Sequence, residues 1–300
     1  MKILITGASG LIGQALTKQL NASGHTTVAA VRREPRRNDE VQWNPATGEM
    51  SPSAFDGVDA VVHLAGAGIG DKRWSNEYKK EILNSRVLGT KLIASAMAET
   101  SDGPKVLLSG SAIGIYGESL TTEFNEQSPI GHGFLADVCA QWEAATESAS
   151  RAGIRVAHLR TGIVLSPAGG ALAKLLPLFK LGAGGKMGSG KQWQSWISID
   201  DEVAAIDYLL TANVTGAVNL TAPTPVTQAE FTKTLAKVLH RPSFLPVPSF
   251  GPKLLLGSEL ADALLFTGQK VMPEILQMSG YAFKHSSLES ALRSLLNKPS

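Results

Sequence analysis

Short β-branched runs alternate with longer stretches whose apolar residues recur every three to four positions through the first half of the chain. Lys2 to Thr6, Thr27 to Val31, Ala60 to Leu64, Lys105 to Ser109 and Val156 to Arg160 read as strands. Between them, Leu11 to Ala22, Asn76 to Glu99 and Phe134 to Arg151 read as helices. Such alternation marks βαβ units, whose right-handed crossovers lay helices on both faces of a parallel sheet. After Ser166 the texture changes, and Leu181 to Gly190 is a Gly- and Lys-punctuated loop of the kind found near sites. Regular structure resumes with a helix over Asp200 to Leu210, opened by acidic residues, a last strand over Ala217 to Leu220 and a helix over Gln228 to Leu239. The tail from Arg241 is helical and interrupted by prolines. The pattern predicts an α/β protein built on a doubly wound parallel sheet with a small C-terminal lobe. Residues 1–165 form the core, the chain returns to it at 197–222, and 166–196 with 223–300 form the lobe on the substrate side.

At 300 residues, the chain buries a sizeable core without disulfides or metals. Hydrophobic residues make up 43% and charged residues 18%, and 28 basic residues barely exceed 26 acidic ones, so nothing points to nucleic acid as a partner. Cys139 is the sole cysteine and no Cys/His cluster has zinc spacing, which fits a reducing compartment and no metal site. The apolar run before Gly7 is too short for a secretory signal, and no later run is long enough to span a bilayer. A cytoplasmic location without membrane partners is the expectation.

The first chemistry-bearing segment is Thr6-Gly7-Ala8-Ser9-Gly10-Leu11-Ile12-Gly13, which follows a predicted strand and opens a predicted helix. In that context Gly7 permits a tight turn, Gly10 lets the backbone approach a pyrophosphate, and Gly13 lets helix and strand pack closely, with the helix N-terminus facing phosphate charge. A glycine turn without a ligand would look similar, but the flanking strand and helix favour a dinucleotide. Sites for NAD usually carry an acid after the second strand to hold the ribose 2′-hydroxyl, whereas this strand ends in Arg32-Arg33. Guanidinium groups suit a 2′-phosphate, so NADP(H) is the expected cofactor. A solvated basic loop of Arg32, Arg33, Arg36 and Arg37 is the alternative, and Glu34 blurs the contrast.

Further segments along the chain agree with this reading. They are His63-Leu64-Ala65-Gly66, Arg86-Val87-Leu88-Gly89-Thr90, Ser109-Gly110-Ser111-Ala112-Ile113-Gly114-Ile115-Tyr116-Gly117 and His158-Leu159-Arg160-Thr161-Gly162-Ile163-Val164. With the glycine turn, they resemble the extended short-chain dehydrogenase/reductase superfamily, the group of sugar-nucleotide epimerases and dehydratases. The resemblance narrows to an atypical epimerase-family branch through Trp74, Lys80 to Arg86, Gln192-Trp193, Trp196 to Asp201 and Arg241 to Pro248. It implies a Rossmann-type fold and, over 243–292, the branch's C-terminal domain of unknown function. By resemblance, cofactor contacts fall on Gly7, Ser9, Gly10, Leu11, Ile12, Gly13, Arg32, Arg33, Leu64, Ala65, Gly66, Arg86, Ser109, Gly110, Thr161, Gly162 and Val164. Pairing of the helices around 76–99 and 134–151 across a two-fold axis, as in relatives, implies a homodimer, with Trp142 and Ala-rich positions on their outer faces or in the core.

One departure bears on chemistry. The superfamily's acid/base group is the Tyr of a Tyr-x-x-x-Lys pair, yet the positions four after Tyr78, Tyr116, Tyr208 and Tyr281 are Ile82, Leu120, Ala212 and His285. The helix that should carry the pair, Gly133 to Glu143, has apolar or small groups instead. Ser111 matches the family's catalytic Ser, which hydrogen-bonds the substrate oxygen, or it satisfies a neighbouring backbone group. Tyr116 lies near the sugar or nicotinamide or packs in the core, and it substitutes as acid/base only if its hydroxyl points into the cleft. Lys72, Lys79 and Lys80 supply the missing positive charge or form a charged helix face. Asp137 and Glu143 are solvated helix acids or tuned bases. Trp193 and Trp196 form an aromatic wall for a substrate or anchor the loop, and Lys186 and Lys191 meet a phosphorylated substrate or solubilise it. Two functions remain open: an NADP(H)-dependent oxidoreductase or epimerase-like enzyme acting on an unknown small molecule such as a nucleotide sugar or carbonyl compound, and a non-catalytic NADP(H)-binding redox sensor or scaffold.

Overall fold

The computed structural model describes residues 1–243 and 247–298. The strands are β1 (Lys2–Thr6), β2 (Thr26–Val31), β3 (Glu40–Asn44), β4 (Glu49–Met50), β5 (Ala60–His63), β6 (Val106–Ala112), β7 (Glu123–Phe124), β8 (Arg155–Thr161), β9 (Ile163–Leu165), β10 (Trp193–Gln194), β11 (Trp196–Ser198), β12 (Gly216–Leu220), β13 (Val226–Thr227) and β14 (Lys270–Val271). The helices that position the site are α1 (Leu11–Ala22), α2 (Asn76–Glu99), α3 (Phe134–Ala144), α4 (Glu147–Arg151), α5 (Gly170–Lys180), α6 (Ile199–Thr211) and α7 (Gln228–Leu239). The central sheet runs β12-β8-β6-β5-β1-β2-β3-β4 and is parallel except where β3 meets β4. Strand order reverses between β1 and β5, so the crevice beyond their carboxyl ends is where a Rossmann-type sheet binds its ligand.

The core divides by strand alternation. Ile3 and Ile5 of β1 join Leu16 and Leu20 of α1 and Val203, Ile206 and Leu209 of α6 on one face. Leu4 points to the other, with Ile93 and Met97 of α2 and Ala149 of α4. A third cluster lies in the lobe, where Leu172 and Leu176 of α5, Phe231 and Leu235 of α7 and Leu292 pack around Trp196. Three short ladders stitch the lobe together and onto the core: β11 on β9, β10 on β13 and β14 on β7. Helix starts follow local chemistry. Ser198 caps α6 by accepting from Asp201 N at 2.9 Å, and Thr227 and Glu230 form a capping box at α7.

Two expectations change and one alternative is decided. The sheet gains β3 and β4 at one edge, where the short Glu-Val-Gln-Trp-Asn run alternates Val41 and Trp43 with polar residues. The helix expected over Phe134 to Arg151 breaks at Ala145–Thr146, because the Thr146 hydroxyl bonds back to Glu143 O at 2.8 Å and contacts His158 Nε2 at 2.9 Å. Trp142 is buried under the sheet rather than displayed for a partner. Within the Arg241 to Pro248 run, Phe244, Leu245 and Pro246 lie outside the described residues. Among the described residues, no helix is long and apolar enough to cross a membrane.

Candidate dinucleotide-binding site

The turn after β1 requires its glycines. Gly7 has φ 72°, and a Cβ there would stand 2.9 Å from Ala65 N. A Cβ on Gly13 would meet Gly7 O at 2.2 Å, so α1 presses against its own entry turn only because the residue has no side chain. Gly10 caps α1 in extended conformation without a side-chain acceptor, and the first turn carries no acid. The leading N–H groups of α1 are thereby left for an anion. Thr6 fixes the opposite wall: its Oγ1 accepts from Leu64 N and Ala65 N at 3.2 Å and contacts His63 Nδ1 at 2.7 Å. Burial drives the His63 ring down to about 4, so it stays neutral at physiological pH.

These residues line a cleft of about 1010 Å³ that gathers Gly7, Ser9, Gly10, Arg32, Arg33, Leu64, Ala65 and Gly66. The two arginines differ. Arg33 grips Glu40 with both terminal nitrogens, Nη1 to Oε2 at 2.8 Å and Nη2 to Oε1 at 2.7 Å. That pairing, with the Arg36 N–H at 2.7 Å, holds the Glu40 carboxyl down at about 2 and raises the Arg33 guanidinium. Arg32 is exposed and has no ion-pair partner among the described residues. Glu40, unforeseen from sequence, separates an anchored arginine from one available to a ligand.

On the far side of the cleft, α2 organises the loop after β5. Tyr78 OH donates to Gly68 O, Ser85 Oγ accepts from Ala67 N at 3.0 Å, and Arg86 Nη1 donates to Ala67 O at 2.9 Å. Glycine at 110 has a packing reason, since a Cβ there would lie 2.7 Å from Trp142 Cζ2. Gly162 likewise faces Ser195 O at 2.4 Å from its missing Cβ. Leu11 packs against Gly169, while Ile12 and Val164 lean on the core.

The carboxyl ends of β6 and β8 carry a closed polar network. Ser111 Oγ donates to Glu143 Oε1 at 2.7 Å, and Arg160 holds the same carboxylate from Nε at 2.8 Å and Nη2 at 2.9 Å. Arg160 Nη1 donates to Tyr116 OH at 2.9 Å, and that hydroxyl donates to Asn219 Oδ1 at 2.7 Å. Burial pushes the Glu143 carboxyl up, but Arg160 and Ser111 outweigh it and leave it below its usual range. Burial also raises Tyr116, which is 3% exposed and stacks on Phe124 at 5.4 Å. The Tyr116 hydroxyl therefore points into the network, not the cleft. Ser111 commits its one proton to Glu143, so toward a ligand it offers lone pairs. Glu143 is a buried ion-pair partner rather than a solvated helix acid, whereas Asp137 stays exposed. Arg160 and Asn219 were missed from sequence; a charged residue beside Leu159 near the carboxyl end of β8 was the available signal for the first.

The tryptophans part company. Trp196 is 0% exposed and donates Nε1 to Thr224 O at 2.9 Å, which makes it an anchor in the lobe core. Trp193 is half-buried, donates to Leu120 O at 3.0 Å and carries Lys270 over its ring at 5.1 Å. Of the lysines, Lys72 pairs with Glu81 and Lys79 with Glu259, so they belong to charged surface pairs. Thr161 donates to Glu202 Oε1 at 2.9 Å, and burial raises that fully enclosed carboxyl to about 8. Cys139 is a buried thiol pushed up to about 11, again by burial.

Against this geometry, the comparisons agree with one another. An epimerase family protein of Mycobacterium bovis is 43% identical over 298 residues, covering 99% of this chain and 98% of its own. The crystal structure of human epimerase family protein SDR39U1 with NADPH superposes with a TM-score of 0.89 at 35% identity, covering 99% of each chain. UDP-glucose 4-epimerase of Thermotoga maritima, solved with UDP-glucose, shares the fold at a TM-score of 0.77 and 18% identity over 99% of this chain and 98% of that one. Residues 247–295 match a domain of unknown function, DUF1731. With residues 3–221 matching its conserved region and a glycine turn shaped for a dinucleotide, the chain belongs to the NAD dependent epimerase/dehydratase family, among its SDR39U1-like epimerase family proteins.

Proposed function

We propose that the chain binds NADP(H) in the cleft between the ends of β1 and β5, and acts as an oxidoreductase-like protein on a small carbonyl compound or nucleotide sugar. The observation that carries the cofactor assignment is the division of labour at the end of β2. Glu40 neutralises Arg33 while Arg32 stays free beside the glycine turn, where a 2′-phosphate would project. That the human relative was crystallised with NADPH supports the same reading. Gly7, Gly10 and Gly13 would pass the pyrophosphate to the N-terminus of α1, with Arg32 on the adenosine phosphate. Bound there, the cofactor supplies a hydride donor or acceptor.

The protein's own contribution at the reaction end is orientation. Ser111 presents lone pairs that favour a substrate hydroxyl over a carbonyl oxygen. Leu135 and Cys139 stand on α3 at the spacing of the missing pair, and the proton-transfer contribution of about 10² to 10⁴ in rate that such a pair supplies is absent there, while Asp137 between them is exposed. The same closure favours a second reading, a non-catalytic NADP(H)-binding sensor or scaffold, because the hydroxyls of Ser111 and Tyr116 are both satisfied within the protein.

Fluorescence titration with NADPH and NADH tests the cofactor, with NADPH expected to bind at least about tenfold tighter. Equal affinities overturn the assignment. NADPH oxidation against carbonyl compounds and nucleotide sugars separates the two functions: slow turnover with any of them supports the enzyme, and tight NADPH binding without turnover supports the sensor or scaffold.

A further inference from the structure

Arg86 is a buried cation without an anion. It is 7% exposed and donates from Nη1 to Ala67 O at 2.9 Å and Ile82 O at 3.0 Å. No carboxylate pairs with it among the described residues. Its neighbours do not compensate, since burial keeps both the Cys139 thiol and the Tyr78 phenol protonated. Burying a guanidinium without a counter-charge is costly, so such an arrangement persists where a ligand supplies the negative charge. The glutamate on the adjoining helix face, Glu143, is already held by Arg160.

The location specifies which part of a ligand that is. Arg86 Cζ lies 3.2 Å from where a Cβ on Gly66 would stand, and 5.0 Å above the Trp142 ring. Trp142 in turn abuts Gly110, next to Ser111. The guanidinium thus sits on the opposite side of the Gly66 strand end from Arg32, toward the reaction end. It also neighbours Cys139, one helical turn beyond Leu135 on the face of α3 that packs near Gly114 and Ala112.

We propose that Arg86, reaching from α2 past Cys139, supplies the fixed positive charge that a Lys one turn after the catalytic Tyr supplies from α3 in related enzymes, and that it holds the phosphate and ribose hydroxyls on the nicotinamide side of the cofactor. The inference rests on the NADP(H) reading above and adds to it a second cationic anchor, set apart from Arg32. Arginine fits this place better than lysine: the cation–π contact with Trp142 fixes the plane of the fork, and its charge does not titrate. Because the cation arrives without a tyrosine beside it, the device positions the cofactor and has no acid to activate.

The test compares two ligands, NADPH and adenosine 2′,5′-bisphosphate, which keeps the adenosine half and lacks the nicotinamide nucleotide. For Arg86→Met, NADPH affinity is expected to fall at least about tenfold, while affinity for the bisphosphate stays within about twofold and Arg86→Lys recovers part of the loss. Arg32→Ala is expected to weaken both ligands. Equal loss of both ligands in Arg86→Met marks a role confined to shaping the Gly66 to Gly68 loop and overturns the proposal, as does no loss of either. Should Arg86→Met not fold, a crystal of the wild-type NADPH complex decides. An Arg86 nitrogen within about 3.2 Å of a nicotinamide-side phosphate or ribose oxygen supports the proposal, and a guanidinium turned away from them overturns it. Failure of the wild type to bind NADPH at all would instead remove the cofactor reading itself.

Discussion

The β2 edge of the cleft and the network at the ends of β6 and β8 are built from similar residue types but dispose of their charges differently. At the β2 edge, a buried glutamate cancels one arginine and leaves its neighbour Arg32 without an ion-pair partner among the described residues, and the start of α1 has no side-chain cap. In the network, Ser111, Glu143, Arg160, Tyr116 and Asn219 close on one another. Open donors are the mark of a surface prepared for a ligand; closed ones hold a shape. A mutation at the β2 edge should therefore show itself in affinity, and one in the network in stability.

The largest effect is expected from Glu143→Ala, which strands Arg160 in a buried position. Removing one partner of such a pair costs about 3 to 5 kcal/mol, read as a lowered midpoint in urea denaturation. A loss under about 1 kcal/mol, the scale of an exposed pair, would erase the contrast. Arg32→Ala comes next. Losing one charge-assisted contact to the 2′-phosphate corresponds to about 1.5 to 3 kcal/mol, or tenfold and more in NADPH affinity, with NADH affinity and the denaturation midpoint unchanged. A drop in stability without a drop in affinity would place Arg32 on the wrong side of the comparison.

Per pH unit the smallest effect, and the most specific, concerns Glu202 beneath Thr161. Its folded-state value of about 8 lies above the usual 4.5, so the native protein binds the extra proton between those limits. Stability is full below about 4.5 and declines as pH rises toward about 8, by at most about 1.4 kcal/mol per pH unit. Denaturation curves of wild type and Glu202→Gln across pH 5 to 9 should diverge in that direction, the variant gaining on the wild type as pH rises. Parallel pH profiles would show that Glu202 is ionised or solvated in the native state.

Much of this was legible in the chain because it is local. The strand-turn-helix at Thr6 to Gly13 declares its ligand through spacing alone, and the absence of Tyr-x-x-x-Lys can be established by counting. What sequence hides is pairing at a distance. Arg33 and Glu40 meet only because β3 joins the sheet edge beside β2, a pairing that no local pattern announces. Glu143 and Arg160 meet only once α3 lies across β8. Trp193 and Trp196 look interchangeable along the chain, yet a shift of three residues carries one to the lobe core and leaves the other half-buried beside Lys270. Tyr116 matched a motif whose spacing says nothing of where a hydroxyl points.

Cys139 gives the molecule a built-in clock. As the sole cysteine, enclosed and held in the unreactive thiol form, it is shielded from alkylating reagents for as long as α3 stays seated on β6. Its labelling rate therefore counts openings of that helix rather than encounters with reagent. Since Arg86 is an electrostatic neighbour of the same thiol, an anion held by Arg86 would slow the clock, so ligand binding is open to mass spectrometry without any added chromophore.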